Sequence, residues 1–433
     1  MVDSDILQIS VHRFRDGYEA SLQHGVQPQN LLFTTPNRLR LGQSDETPAR
    51  SFLGRPVERG DSIAFVPYPQ GNITAGAVVA DTAGLRRAGQ RSRRVFRDVV
   101  GAWAAALPRN AGTKEAVAVS LELEGDLKAA LDSVRAARRL ASDSSLALRL
   151  AVTQVLLSVK LGLGEDTNQL VPAVQLADSI LTASGGFDAT GAESLTRIAT
   201  LTGRCRRASA LMRSAATSIP TAVVIPPGVL ATAYALVPPV ALGCTSSAEL
   251  PNLTAQLAPG GTKASDRAMA EYHIFGALAG LAFQDNPGLV RRLAATSGDF
   301  VLVAEDSLMR RDTTAARRVL RSTLGSSRGA LPTDAALTEA RLWLALRDTI
   351  TAITVMEHSL AGFPLSAPMS TENTLQNALR MASLSRLLAL RADVASARGE
   401  TASRWARPLT VLWNNADPEL KPVTDRMKRL SSR

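Results

Sequence analysis

The residues able to do chemistry here are four histidines, two cysteines and a few glycine-bracketed serines and lysines. His12, His24, His273 and His358 are scattered. None stands at the H-x-x-x-H or H-E-x-x-H spacing that sets two imidazoles on one helical face for zinc. His273, beside Tyr272 in an apolar stretch, therefore reads as a core or groove residue. Gly325-Ser326-Ser327-Arg328-Gly329 has the letters of a nucleophile elbow. That elbow needs a buried strand before it to strain the turn and expose the serine; an Arg-rich helical segment precedes it here, so a plain turn is expected. Gly260-Gly261 lies close to Lys263, but Ala264 follows where a phosphate loop needs Ser or Thr. Glu122 and Glu124 sit at a helix end, and nothing around them would split their pKa values for acid–base work. Cys205 is flanked by Arg204, Arg206 and Arg207, cations that lower the pKa of an exposed thiol. In a helical stretch it reads as an ordinary cysteine. No catalytic motif is complete, so no enzyme activity, metal or cofactor is expected.

The elements that must carry these residues follow from composition. The chain has 433 residues, 45% hydrophobic and 20% charged, and only 4% aromatic. Leu, Ala and Val must build the core, which suits helices better than a β-sandwich. Two cysteines, Cys205 and Cys244, are too few for a disulfide scaffold or a Cys-rich zinc site. Net charge is +10, carried almost wholly by arginine, since lysine occurs only at 114, 128, 160, 263, 421 and 428. The densest run, Arg86 to Arg97, holds one aromatic, Phe96, and reads as a solvated linker. A nucleic-acid surface interleaves more aromatics with its charge, so nucleic acid is not the expected partner. Ile219 to Cys244 is apolar and long enough to cross a bilayer, which takes ~20 residues. Its Pro226-Pro227 and Pro238-Pro239 pairs interrupt helical hydrogen bonding, so a buried helix with proline-marked ends is expected and a membrane span is not. The first residues lack a secretory h-region, and a cytoplasmic location is expected.

Residues 1–95 carry short apolar runs punctuated by Pro36-Asn37, Gly54, Gly60-Asp61 and Gly71-Asn72. Ile6 to Gln23 is expected to be a helix and the rest short strands and loops, a small mixed or irregular segment. From Val95 onward Ala/Leu/Arg segments run at helical spacing. Self-comparison shows a recurring signature. Gly125 is followed by Ala130 and Ala137, and the same offsets give Gly203, Ala208 and Ala215. Weaker copies lead from Arg311-Asp312 to Ala316 and from Arg347-Asp348 to Ala352. Two helices joined by a short turn pack closely only where small side chains meet. One such hairpin cannot bury its apolar face alone, so hairpins stack.

Thr113 to Ser145 resembles a tetratricopeptide repeat, with the small and Leu positions of the first helix, the Gly-Asp turn and an Ala-rich second helix. It departs from the family in lacking the closing proline, where Ser142 stands, and the aromatic of the first helix. Further hairpins are expected at Leu146–Ala183, Glu193–Thr217, Asp266–Thr296, Phe300–Leu324, Asp334–Ala361 and Asn373–Leu430. The resemblance implies a mostly α fold, a TPR-like α-solenoid of antiparallel hairpins over residues 96–433, behind the segment 1–95. Trp405 and Trp413 are expected to close the end of the array.

His24-Gly25-Val26-Gln27-Pro28-Gln29-Asn30-Leu31-Leu32-Phe33 resembles the catalytic loop of protein-kinase and aminoglycoside-phosphotransferase folds. Phosphoryl transfer needs an Asp there to orient the nucleophile, and here Val26 directly follows Gly25. No Asp-Phe-Gly follows, and 23 residues before His24 leave no room for a nucleotide-cradling lobe. Kinase chemistry by this chain is not expected. Large bacterial Ser/Thr kinases often carry TPR-like C-terminal arrays, so a regulatory or sensory module of such a signalling system is the alternative role. The leading expectation is a protein–protein interaction scaffold, holding a peptide or partner segment on a concave helical surface. With this net charge an acidic partner is expected, met by Arg135, Arg138, Arg139, Arg204, Arg206 and Arg207.

Overall fold

The computed structural model describes residues 6–14, 17–24, 27–35, 38–41, 62–64, 97, 100–101, 104–105, 107–164, 166–183, 189–216, 227–245, 287–297, 300–327, 333–362 and 374–432. These residues fall into two compact units that divide at Leu157 and Ser158. The division lies inside a helix.

The first unit opens with five antiparallel strands in chain order: β1 (Ile6–Phe14), β2 (Gly17–His24), β3 (Gln27–Thr35), β4 (Arg38–Leu41) and β5 (Ser62–Ala64). Phe14 pairs with Gly17, His24 with Gln27 and Thr35 with Arg38, so two residues separate each pair of strands from β1 to β4. The expected helix over Ile6 to Gln23 is thus a hairpin. The period of the sequence explains the difference: Leu7, Ile9 and Val11 alternate with Gln8, Ser10 and His12. The kinase-like string lies on the second of these hairpins, with His24 ending β2 and Gln27 opening β3.

The helices of this unit begin with α1 (Ala111–Glu124) and α2 (Leu127–Leu140). Asn110 caps α1, accepting the Thr113 amide at 3.0 Å. At its other end Gly125 takes φ 90°, and the amides of Gly125 and Asp126 reach the carbonyls of Glu122 and Leu121. This closes the helix with a left-handed residue. Asp126 then caps α2 by accepting the Ala129 amide. Ala130 and Ala137 are completely buried, at 0% exposure. The sequence offsets are the physical contact of the hairpin. Next comes α3 (Ser144–Gly164), held to α1 by a two-pronged Arg149–Glu115 pair at 3.0 and 2.7 Å. α3 is the one helix among the described residues long and apolar enough to cross a membrane, and most of that stretch is buried within the protein.

The second unit holds α4 (Leu170–Ala183), α5 (Ala189–Leu201), α6 (Cys205–Ala216), α7 (Pro227–Leu242), α8 (Pro287–Ser297), α9 (Phe300–Met309) and α10 (Thr313–Ser327). It continues with α11 (Thr333–Ala345), α12 (Thr349–Gly362), α13 (Thr374–Ala397), α14 (Ser403–Leu412) and α15 (Lys421–Ser431). The described chain is mostly helical. The α1–α2 turn recurs at Gly203, Arg311 and Arg347, with φ of 72°, 63° and 59°. At each the left-handed residue and its successor donate to two carbonyls of the preceding turn. Asp312 and Asp348 cap the helices that follow. Ala208, Ala316 and Ala352 are each buried to 0% exposure. The arginine copies share the glycine turn and keep a conformation that costs an L-residue about 1–2 kcal/mol.

Chain order does not govern the whole unit. α13 packs against α5, α7, α11, α12, α14 and α15. Asn377 donates to Glu193 at 2.9 Å, Ser385 to the Leu201 carbonyl at 3.1 Å, and Arg386 to the Ala241 carbonyl at 3.0 Å. The end of the chain closes on the α5–α6 turn. Trp413 donates its indole N–H to Leu201, and the Asp417 amide donates to Gly203. The strict neighbour-on-neighbour stack is corrected here: segments some two hundred residues apart share one core. α13 explains why. Leu379, Met381, Leu384, Leu387, Leu388 and Val394 are all buried, and a helix with buried apolar residues around its circumference needs partners on several sides. Trp413 is core, as expected, yet it docks on α5 rather than closing a free end.

Cys205 opens α6, and its sulfur is bonded to that of Cys244, just past α7. The expected ordinary helix cysteine is therefore one half of a staple across a helix pair. α7 also departs from expectation, since Pro238 and Pro239 lie inside its final turns rather than at its limit.

Two measurements check this framework. Nothing lies within 4 Å of a Cβ built on Gly125, whereas one on Gly203 meets Ala416 at 2.8 Å and Leu420 at 2.9 Å. Denaturant melts should show Gly125→Ala costing about 1–2 kcal/mol, and Gly203→Ala about 1–3 kcal/mol more. Denatured but unreduced chain should take up no thiol reagent. Reduction should cost about 2–4 kcal/mol of stability.

Candidate functional site

The cavity of interest lies in the second unit, where the end of α7 meets α11, α13 and α15. Its volume is about 250 Å³. α13 gives it one face, with Arg386, Ala389, Leu390 and Asp393 at helical i, i+3, i+4 and i+7 spacing. α11 adds Leu337 and Arg341, one turn apart, and α15 adds Val423 and Arg426. Leu242 and Gly243 from the α7 terminus and Trp413 complete the wall. Apolar surface with a few convergent polar groups is the usual make-up of a small-molecule site.

Each charged group is positioned by a neighbour. Gly243 turns the chain with φ 87° after α7, and Arg386 donates to the Ala241 carbonyl beside it. A cation there faces the negative end of the helix dipole. Burial pushes the Arg386 guanidinium down to about 10, and the like charge of Arg341 adds to the effect. It stays protonated at neutral pH. Arg341 is itself lowered by burial, opposed by the carboxylate of Glu305. Burial raises Glu305 to about 7 against the pull of Arg341. Arg426 pairs with Asp393 at 3.0 Å, and burial raises that carboxyl in spite of the pair. The lining thus holds three guanidiniums and one carboxylate.

The six arginines singled out from sequence are placed otherwise. Arg135, Arg138 and Arg139 lie on α2 in the first unit, and Arg204, Arg206 and Arg207 at the start of α6 in the second. Arg135 pairs with Asp132 at 3.2 Å, Arg138 donates to Gln154 on α3, and Arg139 is exposed. Arg204 pairs with Asp178 at 2.6 Å, and Arg206 with Glu419 at 2.6 Å. Both hold elements of the protein together. Arg207 is half-buried.

Sequence reading missed the cavity arginines because they lie on three helices far apart in the chain. The one local signal was Arg386-x-x-Ala389-x-x-x-Asp393, two charges seven residues apart on one helical face. Of the other motifs, Gly325 to Ser327 form the end of α10, with helix and not strand before them. Glu122 is buried and Glu124 pairs with Arg97. His358 is exposed on α12, and no metal-binding cluster of His, Cys, Asp or Glu occurs among the described residues. His273 and the Gly260 to Lys263 loop lie outside the described residues, as does the Arg86 to Arg94 run.

No protein-family model matches the chain, and no curated protein does. Among solved structures it is similar to a tetratricopeptide repeat protein from Parabacteroides merdae, at 12% identity and a TM-score of 0.25, over 75% of this chain and 99% of that one. The architecture rests on the helices themselves rather than on that likeness.

Glu305 and Glu193 give a pH test. Both carboxyls are raised from 4.5 to about 7 by burial. A raised acid binds protons in the folded chain that the unfolded chain has released. Stability therefore falls as pH rises from about 4.5 to 7, by roughly 3 kcal/mol at most for each group. Glu305→Gln should be more stable than wild type in urea melts at pH 8, with the gain vanishing below pH 4.5.

Proposed function

We propose that this chain is a helical-hairpin interaction module that holds a protein partner through an acidic segment. The carrying observation is the repeated construction of its hairpins. Four helix pairs share one left-handed turn and one buried alanine contact, in α1–α2, α5–α6, α9–α10 and α11–α12. Stacked hairpins of this type present extended surfaces suited to peptide recognition. We place the start of the helical module near residue 96, ahead of α1, with residues 1–95 as a separate segment.

We assign the acidic segment to Arg135, Arg138 and Arg139 on α2, where Arg139 is exposed and Arg135 pairs within its own helix, whereas Arg204 and Arg206 tie separate segments together. Association steered by these charges weakens with salt. The alternative, a regulatory or sensory repeat module of a kinase-type signalling system, would use the same hairpins. As for compartment, disulfides persist where thiols are not kept reduced, so the Cys205–Cys244 bond fits an oxidising setting better than the cytoplasm.

Immobilised full-length chain should retain specific protein partners at low salt and release them as salt rises. An Arg135→Glu/Arg138→Glu variant with an unchanged circular dichroism spectrum should bind the same partners at least tenfold more weakly. Undiminished binding would remove α2 as the contact, and failure to retain any partner would remove the scaffold.

A further inference from the structure

We propose that the cavity between α7, α11, α13 and α15 binds a small phosphate monoester, its phosphate met by Arg341, Arg386 and Arg426 and its organic body by the apolar wall. The reading goes beyond the interaction module, since a chain without any protein partner would still bind such a ligand.

Charge supplies the first argument. Three guanidiniums and one carboxylate line about 250 Å³, and even with the Glu305 carboxylate acting on Arg341 the site keeps an excess of positive charge. A phosphate monoester carries about −1.5 to −2 near neutral pH and three strong acceptor oxygens, so it can engage more than one of these guanidiniums at once. Burial lowers Arg386, and the like charge of Arg341 across the same lining adds to it.

Geometry supplies the second. Guanidinium is a planar fork with five N–H donors, suited to two-pronged contacts with phosphate oxygens. The Ala241 carbonyl takes a bond from one nitrogen of Arg386, and Asp393 takes one from Nε of Arg426. Those contacts fix the forks at the wall and leave further donors on each. The α7 terminus would by itself repel an anion, and Arg386 stands over its carbonyls. Size narrows the ligand further. The cavity falls just below the range of about 300–1,000 Å³ usual for drug-sized ligands, so a compact organic group is the fit. Trp413, Leu337 and Val423 give that group an apolar surface.

Titration calorimetry on the full chain at pH 8 and low salt provides the test, with phenyl phosphate, inorganic phosphate and benzoate as probes. Saturable 1:1 binding is expected, with phenyl phosphate at least tenfold tighter than either of the others. Arg386→Met should weaken it at least tenfold. Ala389→Phe, which fills the cavity and keeps every guanidinium, should do the same, so the test survives if the arginine variant fails to fold. No saturable binding, benzoate binding as tightly as phenyl phosphate, or full binding by Ala389→Phe would each overturn the proposal. Partner retention on the immobilised chain reports separately on the interaction module.

Discussion

A left-handed residue at the end of a helix sets the geometry on which the helical part of this protein depends. At Gly125, Gly203, Arg311 and Arg347 the chain reverses with two hydrogen bonds back into the helix it has just left. The next helix begins almost at once. With so few residues between them the two helices must lie close, and a side chain larger than alanine at the crossing would force them apart. Ala130, Ala208, Ala316 and Ala352 answer that constraint, each with no exposed surface. Aspartate after the left-handed residue caps the second helix in three of the four hairpins. Turn, cap and contact form one unit of construction.

The exception among the caps shows how the second unit is closed. At α6 the turn carries Arg204 where the others carry aspartate. The cap comes instead from Asp417, whose carboxylate accepts the Arg206 amide at 2.8 Å from 211 residues away. Asp417 also donates its own amide to Gly203, and Asn415 donates to Asp178. A repeat that omits its own cap thus becomes the place where the end of the chain attaches. The missing Cβ of Gly203 serves both purposes, since it permits the turn and leaves room for Ala416 and Leu420.

Arginine rather than lysine suits this design. Its fork bonds backbone carbonyls and carboxylates at once, and it tolerates partial burial better than an ammonium. Arg391 pairs with Glu357 and Glu400 while lying over the ring of Trp405, so one side chain joins α12, the α13–α14 turn and α14. Arg317 reaches the Leu346 carbonyl and joins two hairpins. The same property lines the cavity of the second unit with three guanidiniums, of which Arg386 is fixed by the Ala241 carbonyl and Arg426 by Asp393.

Local pattern alone determined which stretches are helices and where the hairpins turn. A φ-positive site with a small residue five positions on is a short-range requirement, so it is written in consecutive residues, even where arginine stands for glycine. The alternation in Ile6 to Gln23 was equally present, though its period is that of a strand. Tertiary structure alone decided the rest. The attachment of Asp417 to the α5–α6 turn, the Cys205–Cys244 bond and the gathering of Arg341, Arg386 and Arg426 join residues 39 to over 200 positions apart in the cysteine pair and the Arg206–Asp417 cap. Such pairings depend on which apolar faces remain uncovered once each hairpin has formed. α13, with buried residues around its circumference, is the helix that resolves them, because covering it draws distant segments to one centre.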